Sequence, residues 1–180
     1  EYDKNPEAFF FLFYATTQAG HAFEVALGGQ QYGKRPSIFN EAIRNLGSRV
    51  IHVGHADLPT YRRLLWQADI TISTAHHEFF GISLLEAIYC ETFPLLPNRL
   101  SYPELLPDRF HNACLYADEA ALAQKLSWAL THRTEIGEVA KELATAVSRY
   151  SWQQIAPLYD VQMSKIWQKC QPNTRAKEDD

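Results

Sequence analysis

The sequence predicts an α/β fold in which a parallel sheet carries helices on both faces. Strand and helix patterns alternate five times with short connections, which is typical of parallel βαβ units. Residues 69–74 (Asp-Ile-Thr-Ile-Ser-Thr) are rich in β-branched side chains, as expected for a parallel strand buried on both sides. In this chain of 180 residues, 46% are hydrophobic and 21% are charged. That composition predicts a domain with a sizeable core.

Each predicted element has a local signal. Asn5 and Pro6 indicate a helix start, with asparagine as the cap and proline in the first position. Gly20 ends that helix and Gly47 ends the next one. The predicted strands are 23–28, 49–54, 69–74, 93–97 and 113–117. The predicted helices are 5–17, 36–46, 58–68, 81–90, 118–132, 135–149 and 152–168.

Composition limits the class of protein. The chain opens on Glu1 without a methionine, so we expect residues 1–171 to be one domain of a longer protein, with its first strand truncated, and 172–180 to be a disordered tail. No run of about 18 apolar residues predicts a membrane span. Three widely spaced cysteines argue against a disulfide framework and a zinc site, and they fit a cytoplasmic protein. The net charge of −4 indicates no nucleic-acid or membrane surface on this chain.

The sharpest candidate site is the segment 74–87, which follows the third predicted strand and opens a helix. In parallel sheets, ligands bind beyond the carboxyl ends of the strands. Glu78 would face that cleft, and Gly81 would let a ligand approach the backbone. The N-terminus of the following helix offers N–H groups and the positive end of the helix dipole, which suit a phosphate.

Glu86 is the single charge on the less apolar face of that helix. At about 100° per residue, the broad apolar face contains Ile82, Leu84, Leu85, Ile88 and Tyr89. A carboxylate on the opposite face is suited to accept hydrogen bonds from a diol such as a ribose. In the plainer interpretation, Glu78 is a loop residue and Glu86 belongs to a solvated surface.

Glu78-(seven residues)-Glu86, with Phe-Gly-Ile-Ser-Leu-Leu-Glu-Ala at 80–87, resembles the E-x7-E signature of the retaining GT-B glycosyltransferases of family 4. Residues 58–69 resemble the segment before that motif, and residues 149–152 (Arg-Tyr-Ser-Trp) resemble the entry to the last helix. The resemblance covers nearly the whole chain. It implies a Rossmann-like, donor-binding domain, the C-terminal half of a GT-B glycosyltransferase.

Two segments, 3–9 and 94–107, are similar to a branch of that family that mannosylates queuosine in tRNA. The branch implies GDP-mannose as the nucleotide-sugar donor, a tRNA acceptor and no resident cofactor. Because this chain is acidic, the tRNA would bind through an N-terminal domain outside it. Two alternatives stay open: a family-4 transferase that uses a UDP-sugar to build a glycan or glycolipid, and a nucleotide-binding module without transferase activity.

The resemblance also implies roles for individual residues. Lys4 matches the lysine that contacts the donor diphosphate, and Glu78 matches the carboxylate that holds donor-sugar hydroxyls. We treat both as catalytic candidates, and Glu86 matches the ribose ligand. Backbone that faces the sugar and phosphates would come from Phe80, Gly81, Ile82 and Ser83. The nucleobase pocket would form around Val53 and Gly54.

The resemblance further implies how the reaction is assisted. Charge that grows on the departing diphosphate would be stabilised by Lys4, by the helix N-terminus at Gly81 and by an arginine expected before Glu1. His76 and His77 have no second pair at metal-ligand spacing, so we predict a metal-independent site and no metal ligand. This chain alone is expected to bind the donor without catalysing transfer.

One position departs from the family pattern. Glu91 stands where the family mostly has glycine after the motif helix. A residue with a Cβ there must either adopt a positive φ at some cost or end the helix differently.

Overall fold

The chain divides into two compact units, Glu1–Val147 and Ser148–Asp180. A computed structural model describes residues 2–29 and 37–170 of these units. The strands of the first unit are β1 (Val25–Gly28), β2 (Val50–Gly54), β3 (Ile70–Ile72), β4 (Phe93–Pro97) and β5 (Leu115–Tyr116). Its helices are α1 (Pro6–Gln18), α2 (Ser37–Leu46), α3 (Leu58–Gln67), α4 (Ile82–Tyr89), α5 (Tyr102–Leu105), α6 (His111–Cys114), α7 (Glu119–Thr131) and α8 (Arg133–Val147). The second unit contains α9 (Trp152–Cys170), and the predicted tail 172–180 lies outside the described residues.

The described strands form two parallel sheets. β1 pairs with β2, and β4 lies between β3 and β5. The predicted parallel α/β fold is therefore confirmed, although its sheet is divided. The expected strand before Glu1 stays a prediction.

β4 is the centre of the larger sheet. All five of its residues are buried, and α4, α6, α7 and α8 contact it. β3 was expected to be buried on both sides, but its three residues are only half-buried. The reason is positional, because β4 is the one hydrogen-bonded neighbour of β3 among the described strands. The core of this unit therefore follows β4.

The sequence did not predict the two short helices α5 and α6. α5 lies where no element was predicted, and α6 includes Ala113 and Cys114, where the predicted strand is wrong because β5 begins only at Leu115. Each has four residues, which is too short for a hydrophobic period to appear. Tyr102 of α5 is fully buried, and its hydroxyl is 2.8 Å from Oγ of Ser73, directly after β3. This hydrogen bond holds α5 against the carboxyl end of β3.

The faces of α4 differ in part from the prediction. Leu84, Leu85 and Ile88 are buried as expected, but Ile82 and Tyr89 are 66% and 61% exposed, so their predicted place on the apolar face is wrong. They lie at the first and last positions of an eight-residue helix, where the core covers less of the surface. The buried stripe is narrower than predicted, and Glu86 lies on the exposed side.

Glu91, which follows α4 where the family mostly has glycine, adopts a positive φ. Its φ is 62°, which is the left-handed conformation that glycine normally occupies after a helix. The N–H of the next residue, Thr92, donates to the carbonyl of Ala87 at 3.2 Å. This six-to-one bond closes the helix end as in a Schellman motif.

We expect the Glu91→Gly variant to be more stable than the wild type. Removing the Cβ relieves a left-handed strain of about 1–2 kcal/mol, and the added freedom of glycine in the unfolded chain offsets part of it. The net gain, up to about 1 kcal/mol, is measurable by urea unfolding. Glu91→Ala is the matched control, since it removes the carboxylate but keeps the Cβ, and an equal gain in both variants would contradict this explanation.

Candidate active site

The residues that precede α1 dock on the loop that follows β3. The Thr74 hydroxyl lies 3.0 Å from the carbonyl oxygens of both Lys4 and Asn5 and donates to them. The N–H of His76 donates to the carbonyl of Asp3 at 2.7 Å. These bonds hold Lys4 at the carboxyl end of β3, close to Glu78.

Lys4 and Glu78, which are 74 residues apart in sequence, form an ion pair. Nζ of Lys4 donates to Oε2 of Glu78 at 2.9 Å, and their side chains are 47% and 20% exposed. Desolvation raises the pKa of Glu78, but the hydrogen bond and charge of Lys4 and the N–H groups of Phe79 and Phe80 outweigh it. The pKa of Glu78 is therefore below its usual value, and the carboxylate is ionised at neutral pH.

We expect Glu78→Gln to lower stability in a pH-dependent way. In the fold the pKa of Glu78 lies below its usual value, so the ion pair makes its full contribution to stability above that usual value. The contribution is lost as the pH falls through the folded pKa. Because the pair is partly exposed, we expect less than about 1 kcal/mol at neutral pH.

The measurement is urea unfolding of both proteins from neutral to acid pH. The difference between wild type and Glu78→Gln should vanish in acid. Glu142→Gln, which breaks the exposed pair between Arg109 and Glu142, is the control and should show a smaller change. A difference for Glu78→Gln that persists unchanged in acid would contradict the ionic explanation.

Gly81 forms the N-cap of α4 with φ 87°, and its carbonyl accepts from the N–H groups of Leu84 and Leu85 at 3.1 and 3.0 Å. A Cβ at this position would meet its neighbours at 3.6 Å or more, so the backbone angle, and not lack of space, requires glycine. Among the residues that the structure describes, no side chain caps the N-terminus of α4. The exposed residues Ile82 and Ser83 begin the helix, so this N-terminus is open to an anion.

Glu86 has a partner that the sequence did not reveal. The hydroxyl of Tyr61, on α3, donates to Oε2 of Glu86 at 2.6 Å. The two residues are 25 positions apart, and Glu86 itself is exposed. The pair joins α3 to α4 on the side of α4 that the core does not cover.

Val53 and Gly54 are the last two residues of β2, where they pair with Leu27 and Gly28 of β1. Gly54 has φ 97°, and its carbonyl accepts the N–H of Gly29 at 3.1 Å. Both lie on the smaller sheet, separate from the strands that carry the segment from Glu78 to Glu86. Their assignment to a nucleobase pocket stays a prediction.

Two other side chains support the loop after β3 and were not singled out from the sequence. Arg99, which follows β4, donates to the carbonyl of Ala75 at 2.9 Å, and the hydroxyl of Tyr116 donates to the carbonyl of Ser73 at 2.7 Å. Burial raises the pKa of Tyr116 to about 12, so that hydroxyl keeps its proton. Arg99 lies in the segment 94–107, which resembles the mannosyltransferase branch of the family. The sequence alone did not predict which residue Arg99 would contact.

Among residues 2–29 and 37–170, no cluster of three or more His, Cys, Asp or Glu side chains is arranged to hold a metal ion. Over the same residues, none of the helices has the length and apolar character needed to cross a bilayer. His77, which the sequence analysis considered as a metal ligand, has its ring edge-on to the ring of Phe79, with centroids 4.8 Å apart.

The fold and this site define the class of protein. Residues 2–149 match the family model described as glycosyl transferases group 1, and the chain belongs to that family. A tRNA-queuosine alpha-mannosyltransferase of Drosophila melanogaster is 37% identical over 126 residues. Those residues are 70% of this chain and 32% of that relative, so the chain spans just under a third of the relative's length.

Solved structures of glycosyltransferases share the fold. The catalytic domain of cholesterol-alpha-glucosyltransferase from Helicobacter pylori superposes with a TM-score of 0.68 at 17% identity, over 84% of this chain and 93% of that one. Sucrose-phosphate synthase from Thermosynechococcus elongatus gives a TM-score of 0.70 at 20% identity, over 94% of this chain and 43% of the other. At these identities the likeness concerns the fold, and it confirms the predicted GT-B type of domain.

Proposed function

We propose that this chain is the donor-binding domain of a retaining, metal-independent glycosyltransferase of the cytoplasm that transfers mannose from GDP-mannose to queuosine-bearing tRNA. The observation that carries the proposal is the Lys4–Glu78 pair, with its 2.9 Å hydrogen bond. Glu78 lies in the loop that leads to the N-terminus of α4, and Lys4 reaches it from the segment that precedes α1. A cation, a carboxylate and a helix N-terminus are groups that suit a sugar diphosphate.

Each of these groups suits one part of the donor. The diphosphate is an anion, so the ammonium of Lys4 and the first N–H groups of α4 attract it. The ionised carboxylate of Glu78 accepts hydrogen bonds from sugar hydroxyls. In the same way Glu86 accepts from the ribose diol, and the turn at Val53 and Gly54 holds the nucleobase.

In the proposed reaction, the bond between the anomeric carbon and the diphosphate oxygen breaks. The oxygen of an acceptor hydroxyl bonds to the anomeric carbon, whose configuration is kept. The proton of that hydroxyl passes to a phosphate oxygen of the nucleoside diphosphate, which departs. Negative charge grows on the departing oxygen, where Lys4 and the N-terminus of α4 stabilise it. These groups belong to the chain itself, and we therefore propose a reaction that needs no metal ion.

The acceptor is proposed from the relative and not from this site. The Drosophila protein is named for transfer of mannose to queuosine of tRNA, and it is 37% identical over the matched residues. Because this chain has a net charge of −4, we place the tRNA contacts on a part of the protein outside it. We accordingly expect the chain alone to bind donor and to transfer nothing.

The test is a transfer assay with a protein that contains this chain, GDP-mannose labelled in the sugar, and tRNA with or without queuosine. We expect label in the tRNA only when queuosine is present, and equal transfer after EDTA treatment. Transfer from a UDP-sugar to a glycan or lipid would support the alternative donor instead. Donor binding without any transfer would support a nucleotide-binding module.

A further inference from the structure

The hydrogen bond between Tyr61 and Glu86 lies in the proposed donor site, although neither the sequence pattern nor the reaction assigns Tyr61 a role. Its O–O distance of 2.6 Å is short, as expected for a hydroxyl that donates to a carboxylate. Glu86 is exposed, whereas Tyr61 is half-buried. The tyrosine is thus the anchored member of the pair and the glutamate the solvent-facing one.

We propose that Tyr61 is a positioning residue that holds the carboxylate of Glu86 ready for the vicinal diol of the donor's ribose. This inference rests on the proposed function, because it assumes that a ribonucleotide binds beside α4. A carboxylate has about four lone-pair sites, and the Tyr61 hydroxyl occupies one of them on Oε2. Oε1 and the other side of Oε2 remain for the two ribose hydroxyls.

The benefit of such a contact is entropic. A free glutamate side chain loses rotamer freedom when it is fixed by a ligand. If Tyr61 holds the side chain before the ligand arrives, that loss does not weaken binding. Tyr61 would thereby raise affinity for ribonucleotides without touching the diphosphate.

The backbone of Tyr61 is held by hydrogen bonds in the first turn of α3. Oδ1 of Asp57 accepts the N–H of Thr60 at 3.0 Å and caps α3, and the carbonyl of Asp57 accepts the N–H of Tyr61 at 2.8 Å. Burial raises the pKa of Tyr61, and the hydrogen bond and charge of Glu86 raise it further. The phenol therefore keeps its proton at physiological pH and always acts as the donor.

The experiment is calorimetry of the chain with GDP and with 2′,3′-dideoxy-GDP. We expect the wild type to prefer GDP, and Tyr61→Phe to bind GDP about tenfold more weakly, because the Glu86 side chain would then lose its rotamer freedom on binding. Binding of the dideoxy nucleotide should be unchanged. In a Glu86→Gln background, Tyr61→Phe should have little further effect on the preference for ribose.

Tyr14→Phe is the matched control, because it also removes a hydroxyl in a hydrogen bond, here with Asn45 at 3.4 Å, on α1. It should bind both nucleotides as the wild type does. The inference would be overturned if Tyr61→Phe bound GDP as tightly as the wild type or more tightly. It would also be overturned if the variant lost the same affinity for GDP and for the dideoxy nucleotide, because Tyr61 would then only link α3 to α4. A wild-type chain that binds no nucleoside diphosphate would overturn the proposed function itself, and the inference with it.

Discussion

Replacing Lys4 with alanine should lower kcat of transfer by about 10²–10³-fold, the usual effect of losing one preorganised group that stabilises developing charge. The expected reason is that Lys4 acts on the departing diphosphate while it holds Glu78 at 2.9 Å. The fold should be little affected, because the Lys4 side chain is half exposed and such pairs contribute about 0–1 kcal/mol. The measurement is the transfer assay together with urea unfolding of the same variant.

Arg109→Ala is the matched control for Lys4→Ala. It also breaks a surface ion pair, here with Glu142 of α8 at 3.3 Å, and it lies between α5 and α6 in sequence. We expect its kcat to equal that of the wild type. A Lys4→Ala protein with unchanged kcat, or a loss of activity that follows a loss of stability, would contradict the electrostatic role.

The largest expected effect on stability comes from Leu95→Ala. Leu95 is fully buried in β4, between β3 and β5, and its carbonyl accepts the N–H of Ser73 at 3.1 Å. Truncation removes buried apolar surface and leaves a cavity at the centre of the larger sheet. We expect a loss of about 2–5 kcal/mol in the free energy of unfolding, measured in urea.

Leu58→Ala removes the same atoms at the start of α3, where Leu58 is 58% exposed. We expect this control to change stability by less than about 0.5 kcal/mol, as surface substitutions usually do. Equal losses in the two variants would show that β4 is not the centre of the core.

Local signals in the sequence predicted the elements well where they were strong. β4 begins at Phe93 and ends at Pro97 as predicted, because an apolar run bounded by turn residues fixes both ends. The N-cap of α1 is Asn5, whose Oδ1 accepts the N–H of Ala8. Each of these features depends on neighbours in sequence, so no knowledge of the tertiary fold is needed.

Contacts between distant segments could not be predicted in the same way. Nothing along the chain indicates that Tyr61 meets Glu86 or that Tyr102 meets Ser73, since each pair depends on how two helices or a helix and a strand pack. The exposure of Ile82 likewise follows from where the core ends and not from helical period. Lys4 and Glu78 were named separately through the resemblance, and their direct bond emerged only from the fold.

The division of the strands into two sheets also depends on contacts between distant segments, so the sequence did not predict it. Strand patterns indicate which residues extend, but the pairing of β1 with β2 and of β3 with β4 and β5 is a property of the whole fold. Sequence alternation alone therefore predicts a parallel α/β fold without the order of its strands.

We propose that this chain binds a nucleotide-sugar donor at the carboxyl end of β3. The decisive measurement is calorimetry of the wild-type chain with GDP-mannose, GDP, UDP-glucose, UDP and ADP. We expect GDP-mannose and GDP to bind, both more weakly to Lys4→Ala, and we expect weaker binding of the uridine and adenine nucleotides. Preference for UDP would contradict the proposed donor, and absence of binding by every nucleotide would contradict the donor site.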